Sequence, residues 1–382
     1  MPSIVSKYYQ LIYFPYLTLS NTECINIGDV QIWNLMKLDE LIEDMKLKQR
    51  IKQILQAERI DERPVNDIGI VSIGECNLRV FKQNELQNIN VAQLIMFISF
   101  LAQQNIDCSD PNIGHSMATS ENFEFVIQNF RLESKYRSEQ IGFISRKVSA
   151  GRIEVFTFHA PRYLPSPLSF SLDDELIHQL LWLKVNRKRL FQRMIRAVRV
   201  FFEAYYNSPY VNHSARILLQ INAFEILLDL VDRADFKNKI EKYCSIVDEK
   251  QYVYYSERYD IRTKGFRKVK EKRTIKGIWA DKFYTLRNHI VHGNVVKESE
   301  FLFRKKQRHF DIALLFFVLC IKELINDSRT RGRKWRIFYD TISWCKIDDI
   351  VNNVKKWVFI YKRDPFQQSL AKHIWERHQR KY

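Results

Sequence analysis

Arg287-Asn288-His289-Ile290-Val291-His292, followed at once by Gly293, gathers a guanidinium, an amide and an imidazole in one short stretch. Arginine presents a planar fork that grips two phosphate oxygens and stays charged throughout. Imidazole exchanges protons near neutral pH. Asparagine orients either partner without titrating. Such a set can hold a phosphodiester and move a proton at it, so the hexapeptide makes this chain a candidate for RNA cleavage.

A helix must carry these groups. Apolar spacing predicts one from about 277 to 292. At roughly 100° per residue, Trp279, Phe283, Leu286 and Ile290 share one arc, the core face. Asp281, Tyr284, Asn288 and His292 fall on roughly the opposite side, with Arg287 at the flank. The polar set is therefore expected to face solvent, a cleft or a second subunit. Gly293 is a natural left-handed stop, which leaves His292 in the last turn. The negative end of the helix dipole favours the imidazolium there, and Arg287 opposes it. Spacing alone is a weak signal, because Arg304 with His309 and Arg152 with His159 match it too. Only 287–292 ends an amphipathic helix at a glycine and carries Asn after Arg.

The 382 residues suffice for two domains, each with its own core. Apolar residues make up 46% and aromatics 13%, a composition that folds. A net charge of +17 favours polyanions: RNA, DNA or an acidic membrane surface. Its clustering favours nucleic acid. Cysteines 24, 76, 108, 244, 320 and 345 have neither zinc-ligand nor redox spacing, so reduced thiols in a cytoplasmic protein are expected. No signal peptide is read at the N-terminus. The apolar runs 91–102 and 312–321 read as core helices too short to span a bilayer, so no membrane partner is expected. With no Gly-rich phosphate loop, serine elbow or His-Glu-x-x-His helix, neither metal nor cofactor is expected.

Mixed structure is expected first: a strand or two in 8–19, a helix over 32–57, short strands at 68–73 and 78–81, and a buried helix at 91–103. Strands are expected at 123–132 and 141–158, with a hairpin turn at Ser149-Ala150-Gly151-Arg152. Pro161, Pro165 and Pro167 then interrupt the pattern, and the domain boundary is placed there. Residues 1–165 form the expected α+β domain, and 170–382 an all-α bundle. In the bundle, helices are expected near 171–206, 213–233, 236–250, 277–292, 308–327, 347–359 and 365–380. The charged segment 251–276 interrupts them as an insertion.

Three basic clusters offer a track for phosphates. One lies on the first long helix, where Arg187 and Lys188 stand out. A second comprises Arg262, Lys264, Arg267, Lys268, Lys270, Lys272, Arg273 and Lys276, opposed only by Glu271. The third joins Arg304, Lys305 and Lys306 to the arginines at 329–336. Such groups bind backbone without reading sequence, and each is equally at home as a solvated face. Tyr252, Tyr254, Tyr255 and Tyr259 can stack on bases or anchor the insertion.

Phe283-Tyr284-Thr285-Leu286-Arg287-Asn288-His289-Ile290-Val291-His292-Gly293 resembles the signature helix of HEPN domains, and its wording is most similar to the ApeA-like branch. Upstream, Ile221-Asn222-Ala223-Phe224-Glu225-Ile226-Leu227-Leu228 is similar to the helix that carries a buried acidic residue in such proteins. The likeness covers about 170–330, and the segment 251–276 departs from it. It implies a HEPN-type helical bundle, often paired so that two motif helices meet across a cleft. It further implies a metal-independent endoribonuclease, a toxin or antiphage effector with a trigger or neutralising partner. Some members of the family bind nucleotides or RNA without cutting. In the cleaving version Arg287 stabilises the phosphate, Asn288 orients, and His292 transfers the proton. The 2′-hydroxyl attacks, leaving a 2′,3′-cyclic phosphate and a 5′-hydroxyl. Glu225 would hold Arg287, while Tyr284 would pack at the dimer seam or stack on a base. His289, near the core flank, reads as structural.

Overall fold

The first apolar stretch forms strand β1 (Tyr8–Phe14). In this computed structural model the described residues are 8–17, 19, 23–55, 58–60, 63–64, 69–73, 80–107, 120–132, 158–159, 172–205, 212–244, 251–260, 265–304 and 307–328. After β1 come β2 (Cys24–Ile27), β3 (Val30–Asn34), α1 (Leu38–Leu41), α2 (Met45–Leu55), β4 (Glu58–Ile60), β5 (Arg63–Pro64), β6 (Gly69–Ile73), α3 (Gln83–Asp107), β7 (Val126–Arg131) and β8 (Phe158–His159). Strands β2-β3-β6-β1-β7, in that order, make an antiparallel sheet. Leu11 and Tyr13 of β1 share a face with Ile70 and Phe130, and Leu47, Ile51, Ile54 and Leu55 of α2 pack into the same cluster. Period two in the strands and period 3.6 in the helix thus meet in one core. The strands β5-β4-β8 make a second small sheet.

The remainder is mostly helical: α4 (Asp174–Asn186), α5 (Lys188–Ala204), α6 (His213–Leu228), α7 (Arg233–Tyr243), β9 (Tyr252–Asp260), β10 (Gly265–Arg273), α8 (Ile275–Val291), β11 (Leu302–Arg304), β12 (Gln307–Arg308) and α9 (His309–Ser328). Chain contacts divide the protein into two units, one drawing on 1–100, 116–177 and 205–208, the other on 101–115, 178–204 and 209–382. The second unit is organised around Phe224 of α6. Its ring meets Phe236 of α7, Trp279 and Phe283 of α8, and Phe317 of α9. Phe201 of α5 stacks on Phe317 at 4.1 Å. Helix α9 is buried nearly all round from Ile312 to Ile321, which explains its unbroken apolar sequence.

Several expectations are corrected. Residues 30–34 are a strand, not part of a helix over 32–57. Gly28, at φ +63°, and Asp29 make a two-residue hairpin loop from β2 to β3. Val80–Lys82 lead into α3 and are not a strand. The run at 91–102 belongs to a longer helix. Among the described residues α3 alone is long and apolar enough to cross a membrane, over Gln83–Gln103, and 61% of that window is buried. The helix expected over 171–206 is interrupted at Arg187. The charged insertion is a two-stranded hairpin, β9 with β10. The proline-rich boundary, the turn at 149–152, the strand expected over 141–158 up to residue 157, and the helices near 347–359 and 365–380 lie outside the described residues.

Candidate functional site

Helix α8 starts at Thr274, whose hydroxyl accepts from the Gly277 N–H. Glu241 of α7 in turn accepts from the Thr274 amide at 3.2 Å and its hydroxyl at 2.7 Å. A side chain at 277 would meet that carboxylate, so glycine leaves Glu241 room to reach the start of the helix. Trp279, Phe283 and Leu286 fill the core face as expected, while Ile290 is only half-buried. The helix ends in a six-residue capping turn. Asn294 N–H donates to the His289 carbonyl at 3.0 Å, and Gly293 N–H to Ile290 at 3.1 Å. Gly293 has φ +70° with open space around it, so backbone conformation rather than crowding demands glycine. His292, immediately before it, is exposed.

Arg287 lies between two partners. Its Nη1 donates to the Asn288 side-chain oxygen at 3.2 Å, and its Nη2 sits 3.6 Å from Glu225 Oε1 on α6. The Tyr284 hydroxyl donates to that same Glu225 oxygen at 3.2 Å, and the guanidinium lies 5.5 Å from the Tyr284 ring. The Arg287 and Glu225 side chains are 31% and 27% exposed, so both are reachable from solvent. Burial, then the Glu225 carboxylate, push the Tyr284 phenol above its usual range, with Arg287 pulling the other way. The phenol therefore stays a donor. Arg287, Asn288, Tyr284 and Glu225 form one contiguous group, and His292 follows one turn beyond it.

One neighbour differs from expectation. Asp281 does not face outward with the polar set. It is 1% exposed and holds Arg233 of α7 through two bonds, at 2.9 and 2.6 Å, and Lys237 at 3.1 Å. Partners 48 and 44 residues upstream leave no trace in local spacing. His289, at the flank, is half-buried, and its Nδ1 meets Glu300 at 2.9 Å. Burial alone would raise the Glu300 carboxyl, but the Lys297 amide and His289 outweigh it and hold it below its usual range.

Register sorts the basic hairpin into two faces. Lys268, Lys270 and Lys272 share a face with Val253 and Tyr255, and all of these are exposed. The other face carries Glu271, which accepts from Ser256 at 2.7 Å and meets Lys237 at 3.3 Å and Arg273 at 2.9 Å. Arg273 also meets Glu241 and Asn238 and so is engaged internally, unlike the outward role given to it from sequence. Arg267 is exposed on the Glu271 side. Arg187 and Lys188 are exposed where α4 gives way to α5. Lys264, Lys305 and the arginines at 329–336 lie outside the described residues, and of Arg304 only its place in β11 is described.

Sequence reasoning missed an open cleft of about 510 Å³ just beyond the end of α8. Ile290, Gly293 and Asn294 line it together with His213, Ser214 and Phe301. No regular spacing connects α6 to this turn, so only the fold brings them together. Among the described residues, no group of three or more His, Cys, Asp or Glu is placed to hold a metal ion. Comparison with protein families, curated proteins and solved structures finds no match to this chain, so its function is read from its own residues.

Proposed function

We propose that this protein is a metal-independent endoribonuclease of the HEPN type, acting as a toxin or antiphage effector in the cytoplasm. The observation that carries the reading is Arg287, tethered to Glu225 and Asn288 one turn before an exposed His292 at a glycine-capped helix end. Arg287 neutralises the non-bridging phosphate oxygens as negative charge builds on them. His292 accepts the 2′-hydroxyl proton while O2′ bonds to phosphorus and the bond to O5′ breaks. A second proton carrier must protonate O5′. A homodimer in which two α8 helices meet supplies it from the partner's His292, in keeping with the exposure of this residue. The lysine face of the hairpin and the Arg187–Lys188 corner carry the flanking backbone. The protein is then a HEPN bundle joined to a sensing or recruiting α+β region.

The test uses the full-length protein, a 5′-labelled RNA and excess EDTA. Wild type is expected to give cyclic-phosphate ends, and His292→Ala to lose at least 100-fold in rate. The DNA of the same sequence should persist, because it has no attacking hydroxyl. Cleavage undiminished in His292→Ala overturns the assignment. A second reading, a non-cleaving RNA- or nucleotide-binding regulator, is favoured by the prior engagement of Arg287 with Glu225. It predicts RNA binding without cleavage in both proteins.

A further inference from the structure

We propose that the cleft at the C-terminal end of α8 is a nucleobase site that takes guanine from the RNA strand being cut. For its occupant this rests on the endoribonuclease reading. The cleft measures about 510 Å³, within the usual 300–1,000 Å³ of small-ligand sites. Its lining residues Ile290 and Gly293 bracket His292 in sequence, so the backbone that lines it also carries the exposed imidazole. A base seated here leaves its own backbone beside the proton carrier.

The lining suits a base better than a phosphate. Ile290, Val296 and Phe301 supply an apolar floor for a ring face. His213 and Phe301 stand 6.2 Å apart and tilted by 53°. Parallel sandwiching needs about 7 Å, twice the contact distance of about 3.5 Å. The two rings therefore form a corner against which a single base packs. Around that corner Ser214 and Asn294 offer hydrogen-bonding groups, and Glu298 is the acidic residue of the lining. A carboxylate repels phosphate but accepts from the adjacent N1–H and N2–H donors of guanine with its two oxygens. No other standard base presents two such donors side by side. The phosphate stays outside this lining, which holds no lysine or arginine.

Calorimetric titration of full-length His292→Ala with GMP, UMP and ribose 5-phosphate tests this. GMP is expected to bind at least 10-fold more tightly than UMP, and ribose 5-phosphate to give no saturable heat. Val296→Trp, which fills the cleft, should lose at least 10-fold for GMP at an unchanged melting temperature. Glu298→Gln should erase the preference for GMP over UMP. Ribose 5-phosphate binding as tightly as GMP, or Val296→Trp binding GMP normally, overturns the proposal. Cleavage assays on the same preparations keep the two readings apart. GMP binding with no cleavage by wild type sinks the ribonuclease and leaves the base site. Cleavage without GMP binding does the reverse.

Discussion

At the residue scale, the arrangement around Arg287 separates charge from geometry. Glu225 lies 3.6 Å from the guanidinium, and Tyr284 donates to the same carboxylate oxygen. On the proposed mechanism, removing the phosphate clamp outright with Arg287→Ala should cost about 100- to 1,000-fold in cleavage rate. Glu225→Gln keeps a hydrogen-bond acceptor but loses the charge that restrains Arg287. A half-exposed ion pair is worth little in stability, so this variant should fold normally and lose about 10-fold in rate. Single-turnover cleavage beside a thermal melt reads both quantities. Equal losses in the two variants would make Glu225 a participant rather than a positioning residue. The left-handed glycine after His292 was legible in the sequence because a helix that stops there has few other solutions. The outward placement of Asp281 was misread because helical angle alone says nothing of a second helix that brings a matching arginine and lysine.

At the element scale, the hairpin is held by its inner face and free on its outer one. Glu271 and Asp281 converge on Lys237 of α7, which ties the strands to the motif helix. Asp281 is nearly inaccessible, and its removal leaves two cations short of a partner. Asp281→Asn should therefore destabilise the helical unit by about 3 kcal/mol, the lower end of the range for broken buried pairs, since Glu271 still faces Lys237. Urea unfolding measures it, and a loss under 1 kcal/mol would mean that water replaces the carboxylate. The outer face makes a different kind of prediction. If Lys270 and Lys272 contact RNA backbone, changing both to Gln should shallow the salt dependence of single-strand binding by about 1.4 in log–log slope. An unchanged slope would remove the hairpin from the track. The sequence hid this element because its lysines were read as one basic track in an insertion, whereas every second residue faces one way and the lone Glu271 marks the inner face. The same conflict of periods misplaced β3. Val30, Ile32 and Asn34 alternate inward in a strand, yet Trp33 and Met36 with Leu38 also fit a helical stripe. The Gly28-Asp29 turn was the available arbiter.

At the scale of the whole molecule, a chain with net charge +17 is built to be drawn to polyanions and to repel itself. Acidification adds to that repulsion, and one core residue sets where its effect begins. His309 opens α9 at 1% exposure, stacked on Phe283 at 5.5 Å and near Phe303. Burial, reinforced by the charge of Lys282, lowers its pKa to about 3. In the unfolded chain the ring titrates near 6.5. Its folded value being depressed, the native state holds no proton there over the window from about 6.5 to 3, while the unfolded state does. The pH-dependent stability is therefore intact above 6.5 and falls as pH drops through that window. Each tenfold in proton affinity is worth about 1.4 kcal/mol, so lowering the pH from 7 to 5 should cost about 2 kcal/mol through this residue alone. The carboxylates held below their usual range, Glu300 and Asp235, lose their contribution only at lower pH. His309→Phe keeps the ring stack and removes an Nδ1 that has no hydrogen-bond partner among the described residues. It should leave stability at pH 7 within about 1 kcal/mol and flatten the decline between pH 7 and 5. Urea unfolding of both proteins at pH 7, 6 and 5 gives the comparison, and parallel declines in wild type and variant would show that the helical core does not hold this histidine neutral.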